Sequence, residues 1–198
     1  MTAFLLDHWL DITTTLLGLA YILLEYKASV WLWAVGFVMQ ALGIVLYYQK
    51  GLYADCGMEF YYMAMTVYGF FNWKYSKNRK EKKELPITHF KRSLILPWTV
   101  ATLVIWAVIW WFLVTKTDSR VPIADSFTTA LSIVGIWALA RKYLEQWLIW
   151  IAVDIVTCAL YFYKDIPFKA SLYGLYVIIA IFGYRRWKRH LFLQKALT

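Results

Sequence analysis

Apolar residues run along this chain in long blocks, with the polar ones gathered in the short gaps between them. Seven such blocks lie near residues 8–26, 29–49, 52–74, 94–114, 122–140, 144–163 and 168–187. A hydrocarbon layer about 30 Å thick needs about 20 apolar residues per helix, so each block predicts a membrane-crossing helix. The gaps are short turns except for 75–93, which holds KNRKEKKE, Pro86 and His89. Asp7 and His8, rather than Lys or Arg, lead into the first block, and no small-residue cleavage site follows it, so it reads as a retained helix and not a signal peptide.

Composition sharpens this picture. The chain is 62% hydrophobic and 20% aromatic, with mean hydropathy +0.53, against roughly 45–50% apolar usage in a soluble domain. The net charge of +9 does not mark a nucleic-acid partner, because the basic residues cluster between apolar blocks instead of forming a stripe. They report topology. With the C-terminus in the cytoplasm, 16 of the 21 Lys and Arg residues fall on that side, and five (Lys50, Lys116, Arg120, Lys164 and Lys169) fall outside. The N-terminus is then outside, and lipid surrounds the helices. Cys56 and Cys158 form no CxxC pair and read as small packing residues.

Sliding the chain on itself by 114 residues, without a gap, aligns the first three blocks with the last three. Asp11 meets Asp125, Thr14 and Thr15 meet Thr128 and Thr129, Trp33 meets Trp147, Tyr62 meets Tyr176, Gly69 meets Gly183, and Trp73-Lys74 meets Trp187-Lys188. Three helices, one connector and three more place the copies in the same direction, a parallel 3+1+3 repeat. The expected divisions are 1–76 for the first repeat, 77–121 for the linker and connector helix, and 122–198 for the second repeat with its basic tail. Transporters use such repeats with the substrate near mid-membrane where the copies meet.

The polar residues inside the blocks point to the site. Asp154 falls about 15 Å along the sixth helix at 1.5 Å per residue, and a mid-membrane carboxylate costs roughly 2.5–3.5 kcal/mol on insertion scales. Trp147, Trp150 and Asp154 share one face, which Cys158 and Tyr161 continue. Two indoles beside a carboxylate suit a flat cation, with cation–π contact worth about 2 kcal/mol when desolvated. Glu59, with Tyr62 and Thr66 at i+3 and i+7, is a second candidate ligand group. The repeat partners add Trp33, Gln40, Tyr173 and Tyr176: Gln40 takes the place of Asp154, and Tyr173 that of Glu59, an asymmetry that an asymmetric substrate would require. Asp11 and Asp125 read as first-turn residues meeting the helix dipole, and Trp73, Trp110 and Trp111 as belt or packing residues. The histidines at 8, 89 and 190 form no metal set. No nucleotide-binding, zinc-protease or nucleophile-elbow motif occurs, so no cofactor or metal is expected.

RKYLEQWLIWIAVDIV at 141–156, QKGLYA at 49–54 and YGFFNWK at 68–74 resemble the signatures of the Pnu family of bacterial vitamin transporters, over nearly the whole chain. The resemblance implies a SWEET-like seven-helix fold, commonly homotrimeric, that lets its vitamin diffuse inward and leaves trapping to cytoplasmic phosphorylation. It also implies that Trp147 and Trp150 are the site tryptophans of the WxxW motif. Asp154 stands where the nicotinamide riboside branch typically has Asn, and Glu59 where that branch can show Gln. Two carboxyl groups among aromatics suit thiamine, whose thiazolium is cationic and whose aminopyrimidine pairs with a carboxyl group. Nicotinamide riboside, also a cation, is the alternative. A membrane-embedded enzyme using Glu59 and Asp154 as an acid/base pair, or a cation channel, are readings from other classes.

Overall fold

The computed structural model describes the backbone of residues 2–49, 53–75, 85–117, 119, 121–163 and 165–196, with side chains of these apart from 2–12, 14, 53–55 and 195. Lys50, Arg120, Lys164 and the whole KNRKEKKE stretch lie outside the described residues, as does the side chain of Asp11. Seven helices run in order: α1 (Thr2–Tyr26), α2 (Leu32–Gln49), α3 (Tyr53–Tyr75), α4 (Arg92–Lys116), α5 (Pro122–Ala140), α6 (Gln146–Tyr163) and α7 (Pro167–Ala196). Five of them, α2 and α4 to α7, are long and apolar enough to cross a membrane. In α1 the described side chains leave a shorter apolar stretch, Thr15–Tyr26. Glu59, Asn72, Lys74 and several tyrosines lower the hydropathy of α3.

Two helices extend past their apolar blocks, and this changes two expectations. Because α1 begins at Thr2, Asp11 stands in its third turn and not in the first. Asp125 does occupy the first turn of α5, where it accepts a hydrogen bond from Ser119 Oγ at 3.0 Å. Helix α7 runs on to Ala196 through the basic tail, since Arg and Lys with long aliphatic stems are good helix formers.

The described residues form two compact units, 1–85 and 86–198. In the first, α2 packs on α3 and α1 on α2; in the second, α4 packs on α5, α5 on α6 and α6 on α7. The same local devices recur in both at the 114-residue offset. Ala28 and Lys142 both adopt left-handed backbone, with φ of 54° and 58°. Each sits in a Schellman-type turn: Ser29 N–H donates to Leu24 O at 2.9 Å, and Tyr143 N–H to Ala138 O at 3.0 Å. Asp165, with φ of 55°, ends α6 in the same way. The thiols exchange places, Cys56 donating to Ile44 O and Cys158 to Ala170 O.

The tightest device in each unit is an indole seated on a glycine. Trp147, fully buried, meets Trp187 edge to face at 5.6 Å, and a Cβ added at Gly183 would lie 2.6 Å from its six-membered ring. Trp33 meets Trp73 at 5.5 Å and lies against Gly69 in the same fashion. Trp73 is therefore a core residue and not part of an interfacial belt, whereas Trp110 and Trp111 on α4 are exposed. We predict that Gly183→Ala, which must push the Trp147 ring aside, lowers stability by about 1–3 kcal/mol, read as an earlier thermal transition of the detergent-purified protein. An unchanged transition would show that α6 and α7 separate without cost.

Candidate functional site

The entry to α6 is held by the RKYLE segment. Glu145 accepts two hydrogen bonds, from Phe90 N–H to Oε2 at 2.8 Å and between His89 Nδ1 and Oε1, also at 2.8 Å. Backbone bonds from Thr88 N to Lys142 O and from Leu144 N to Thr88 O tie the same turn to residue 88. Phe90, Tyr143, Trp98 and Arg141 gather around Trp137 of α5. The motif thus fixes where α6 begins, and so the heights of Trp147 and Trp150 along it. Sequence spacing did not reveal the His89–Glu145 partnership, because 56 residues separate the two.

The two tryptophans of the WxxW motif are not equivalent. Trp147 has its ring locked between Gly183 and Trp187 of α7. Trp150 leans the other way, onto α5, where a Cβ at Gly135 would lie 3.3 Å from its indole. Asp154, 6% exposed, is one turn further along α6, within electrostatic reach of Tyr176 on α7. Tyr176 meets Tyr173 edge to face at 5.6 Å, and Tyr173 stacks on Tyr161 at 5.4 Å, with the Lys169 ammonium 5.5 Å above that last ring. The second unit therefore joins Asp154 to Tyr176 and, through it, to Tyr173, while Trp147 packs on α7 and Trp150 on α5.

The first unit holds the other five predicted residues. Trp33 and Thr66 are buried, and Gln40, Glu59 and Tyr62 are half-buried. The carboxyl of Glu59 lies against α2, where a Cβ at Gly43 would stand 2.8 Å from it. Thr66 Oγ1 faces Gly36. An apolar cavity of about 290 Å³ opens beside Trp33 and Thr66, walled by Ala34, Phe37, Val67, Phe70 and Phe71. Its lining offers almost nothing polar, which suits a lipid chain better than a charged vitamin.

Buried polar atoms normally have partners. Here Trp33 Nε1, Gln40 Oε1, Thr66 Oγ1, Trp147 Nε1 and Trp150 Nε1 have none among the described residues. All five belong to the predicted site residues. Gln146 shares the property and was not singled out by the sequence reasoning.

A helical protein with several helices apolar enough to cross a membrane, and with polar groups buried inside them, is a multi-pass membrane protein. Residues 8–189 match the family described as nicotinamide mononucleotide transporter, and the chain belongs to that family, the Pnu family of vitamin transporters. It is 28% identical over 185 residues to the riboflavin/roseoflavin transporter RibM of Streptomyces davaonensis, covering 90% of this chain and 84% of that one. It is 22% identical over 203 residues to the nicotinamide riboside transporter PnuC of Escherichia coli, with the same coverages, and 24% identical over 197 residues to PnuC of Neisseria mucosa, covering 93% and 75%. Among solved structures, the crystal structure of the vitamin B3 transporter PnuC shares the fold, with a TM-score of 0.73 and 22% identity over 96% of this chain and 84% of that one. These relatives are transporters, and this chain is a multi-pass inner-membrane transporter and not an enzyme.

The unequal packing of the two indoles separates their roles. Trp147→Ala is expected to lower stability by about 3–5 kcal/mol, the usual cost of emptying a buried Trp site. Trp150→Ala should cost clearly less while weakening vitamin binding. Thermal transitions of both variants beside their titrations decide it, and equal stability losses would remove the distinction.

Proposed function

We propose that this protein admits thiamine by facilitated diffusion, with trapping left to phosphorylation in the cytoplasm. The observation that carries the reading is Asp154: a carboxylate nearly closed off from solvent, one turn from Trp150 and within electrostatic reach of Tyr176. A thiazolium cation supplies the opposite charge, an aminopyrimidine supplies an amino donor and a ring nitrogen, and the aromatic side chains supply stacking faces. Glu59, set against Gly43 in the first unit, is the second acidic ligand group. With Tyr62, Thr66, Trp33 and Gln40 it forms the further set that we assign to vitamin passage.

The parallel 3+1+3 arrangement belongs to the same proposal. It is supported by the 114-residue offset, which joins left-handed caps at Ala28 and Lys142 and indole-on-glycine contacts at Trp33 and Trp147. The distribution of Lys and Arg supports an outside N-terminus and a cytoplasmic C-terminus, and the family resemblance supports a homotrimer.

Nicotinamide riboside is the second reading, favoured by the PnuC relatives, and the RibM relative brings riboflavin into the comparison. Charge sets riboflavin apart, and ring chemistry separates the two cations. Riboflavin has no fixed positive charge, so it gains no ion pairing from Asp154, and nicotinamide riboside lacks the aminopyrimidine.

Calorimetric titration of the parent, Asp154→Asn, Glu59→Gln and the double variant with all three vitamins tests the assignment. Losing a charge-assisted hydrogen bond should cost thiamine about 1.5–3 kcal/mol in Asp154→Asn, roughly one to two powers of ten in Kd. The double variant should gain nicotinamide riboside binding. A parent that ignores thiamine and binds riboflavin would overturn the substrate. In vesicles, the purified protein should equilibrate the vitamin and stop there, and uphill accumulation under an imposed ion gradient alone would overturn the uniport reading.

A further inference from the structure

Gln146 is fully buried, and neither its Nε2 nor its Oε1 has a hydrogen-bond partner among the described residues. A primary amide brings two donors and an acceptor with two lone pairs, and leaving them unmade in an interior is expensive. Packing alone does not call for it. At the 114-residue offset its counterpart is Leu32, which is equally buried and begins α2 with the same turn: Leu32 N–H donates to Ser29 O, and Gln146 N–H to Tyr143 O. An apolar residue therefore fills this position in one half of the chain, while the other half carries an amide at a cost.

Its neighbours along α6 follow the same rule. Gln146, Trp150 and Asp154 stand at i, i+4 and i+8, within about 80° of arc and some 12 Å of axis. Their counterparts in α2 are Leu32, Gly36 and Gln40. All three members of the stripe differ between the halves, whereas Trp147, just off it, is matched by Trp33. Trp150 Nε1 is also buried without a partner. Only the Asp154 position keeps a polar counterpart, Gln40, whereas at 146 and 150 the other half has Leu32 and Gly36; polar groups carried at a cost where the matching positions do without them mark a surface that a ligand meets.

We propose that Gln146 is a specificity-determining residue of the transport site. It reads the hydrogen-bonding edge of the vitamin's heteroaromatic ring, a donor and an acceptor side by side as in an aminopyrimidine, carboxamide or imide, while Trp150 covers the ring and Asp154 answers its charge. A Gln amide pairs with such an edge through two hydrogen bonds, as it does with the amino group and ring nitrogen of adenine. This rests on the transporter reading above and adds to it the group that recognises the edge and not the charge.

The test is Gln146→Leu, which installs the residue of the other half, beside Gln146→Glu and the parent. Each is purified in detergent, melted, and titrated with thiamine, nicotinamide riboside, riboflavin and a thiamine analogue lacking the exocyclic amino group. The expected result is a thermal midpoint in Gln146→Leu equal to or above the parent's, because an unsatisfied amide has been replaced by an apolar group. Binding of the vitamin that the parent prefers should weaken about tenfold or more, and the preference for the intact edge over the trimmed analogue should shrink. Gln146→Glu, which loses the amide's donors, should also bind less well.

A lower midpoint in Gln146→Leu would show that the amide serves packing and overturn the proposal. So would unchanged affinity in a variant that melts like the parent. A parent that binds none of the vitamins would instead defeat the functional reading itself, and the two failures are told apart in the parent's own titration.

Discussion

Hydrocarbon does not forgive an unpaired polar group, and most of what is distinctive in this chain is a response to that constraint. Backbone groups are satisfied by making nearly everything helix, and the helix ends are closed by tight turns that reuse the last carbonyls. Side chains then divide into two kinds. Ser126, Thr128, Thr129 and Ser171 donate back to carbonyls one turn earlier, and so vanish as polar groups. Trp150, Gln146 and Asp154 keep their polarity inside α6, and they do so on one stripe. Where solvent would hide the expense of a polar residue, this environment exposes it, and the expense locates the site.

Much of the fold was legible because membrane helices are read by length and hydropathy. The block at 122–140 matches α5 residue for residue. Block edges were less legible where a turn is itself apolar: 29–31 and 144–145 read as helix in hydropathy, but Ala28 and Lys142 turn left-handed and delay α2 to Leu32 and α6 to Gln146. The continuation of α7 into the basic tail was hidden for the opposite reason, since hydropathy falls there while helix propensity does not; α1 starts six residues before its block because Asp7 and His8 interrupt an apolar run that begins at Ala3.

For the site, periodicity placed Trp147, Trp150 and Asp154 on one face of α6. What it did not convey is that Trp147 is wedged into the Gly183 notch of α7 while Trp150 turns toward α5. Residues about 60° apart on a helix share a face and still meet different neighbours. Nor did spacing show that Glu145 anchors the segment carrying His89 and Phe90, a contact that exists only once α4 and the α5–α6 turn are brought side by side.

The brevity of that α5–α6 turn has a consequence for how the protein is made. With only residues 141–145 between them, α5 and α6 reach the translocation machinery almost together, and the turn is too short for α6 to wait in water while α5 settles alone. The pair is best delivered as a hairpin. In that form Asp154 enters the bilayer already flanked by α5, and its burial cost is shared by two apolar segments rather than charged to α6. The link from α6 to α7, residues 164–166, is shorter still, so the same reasoning brings α7 in directly behind the hairpin.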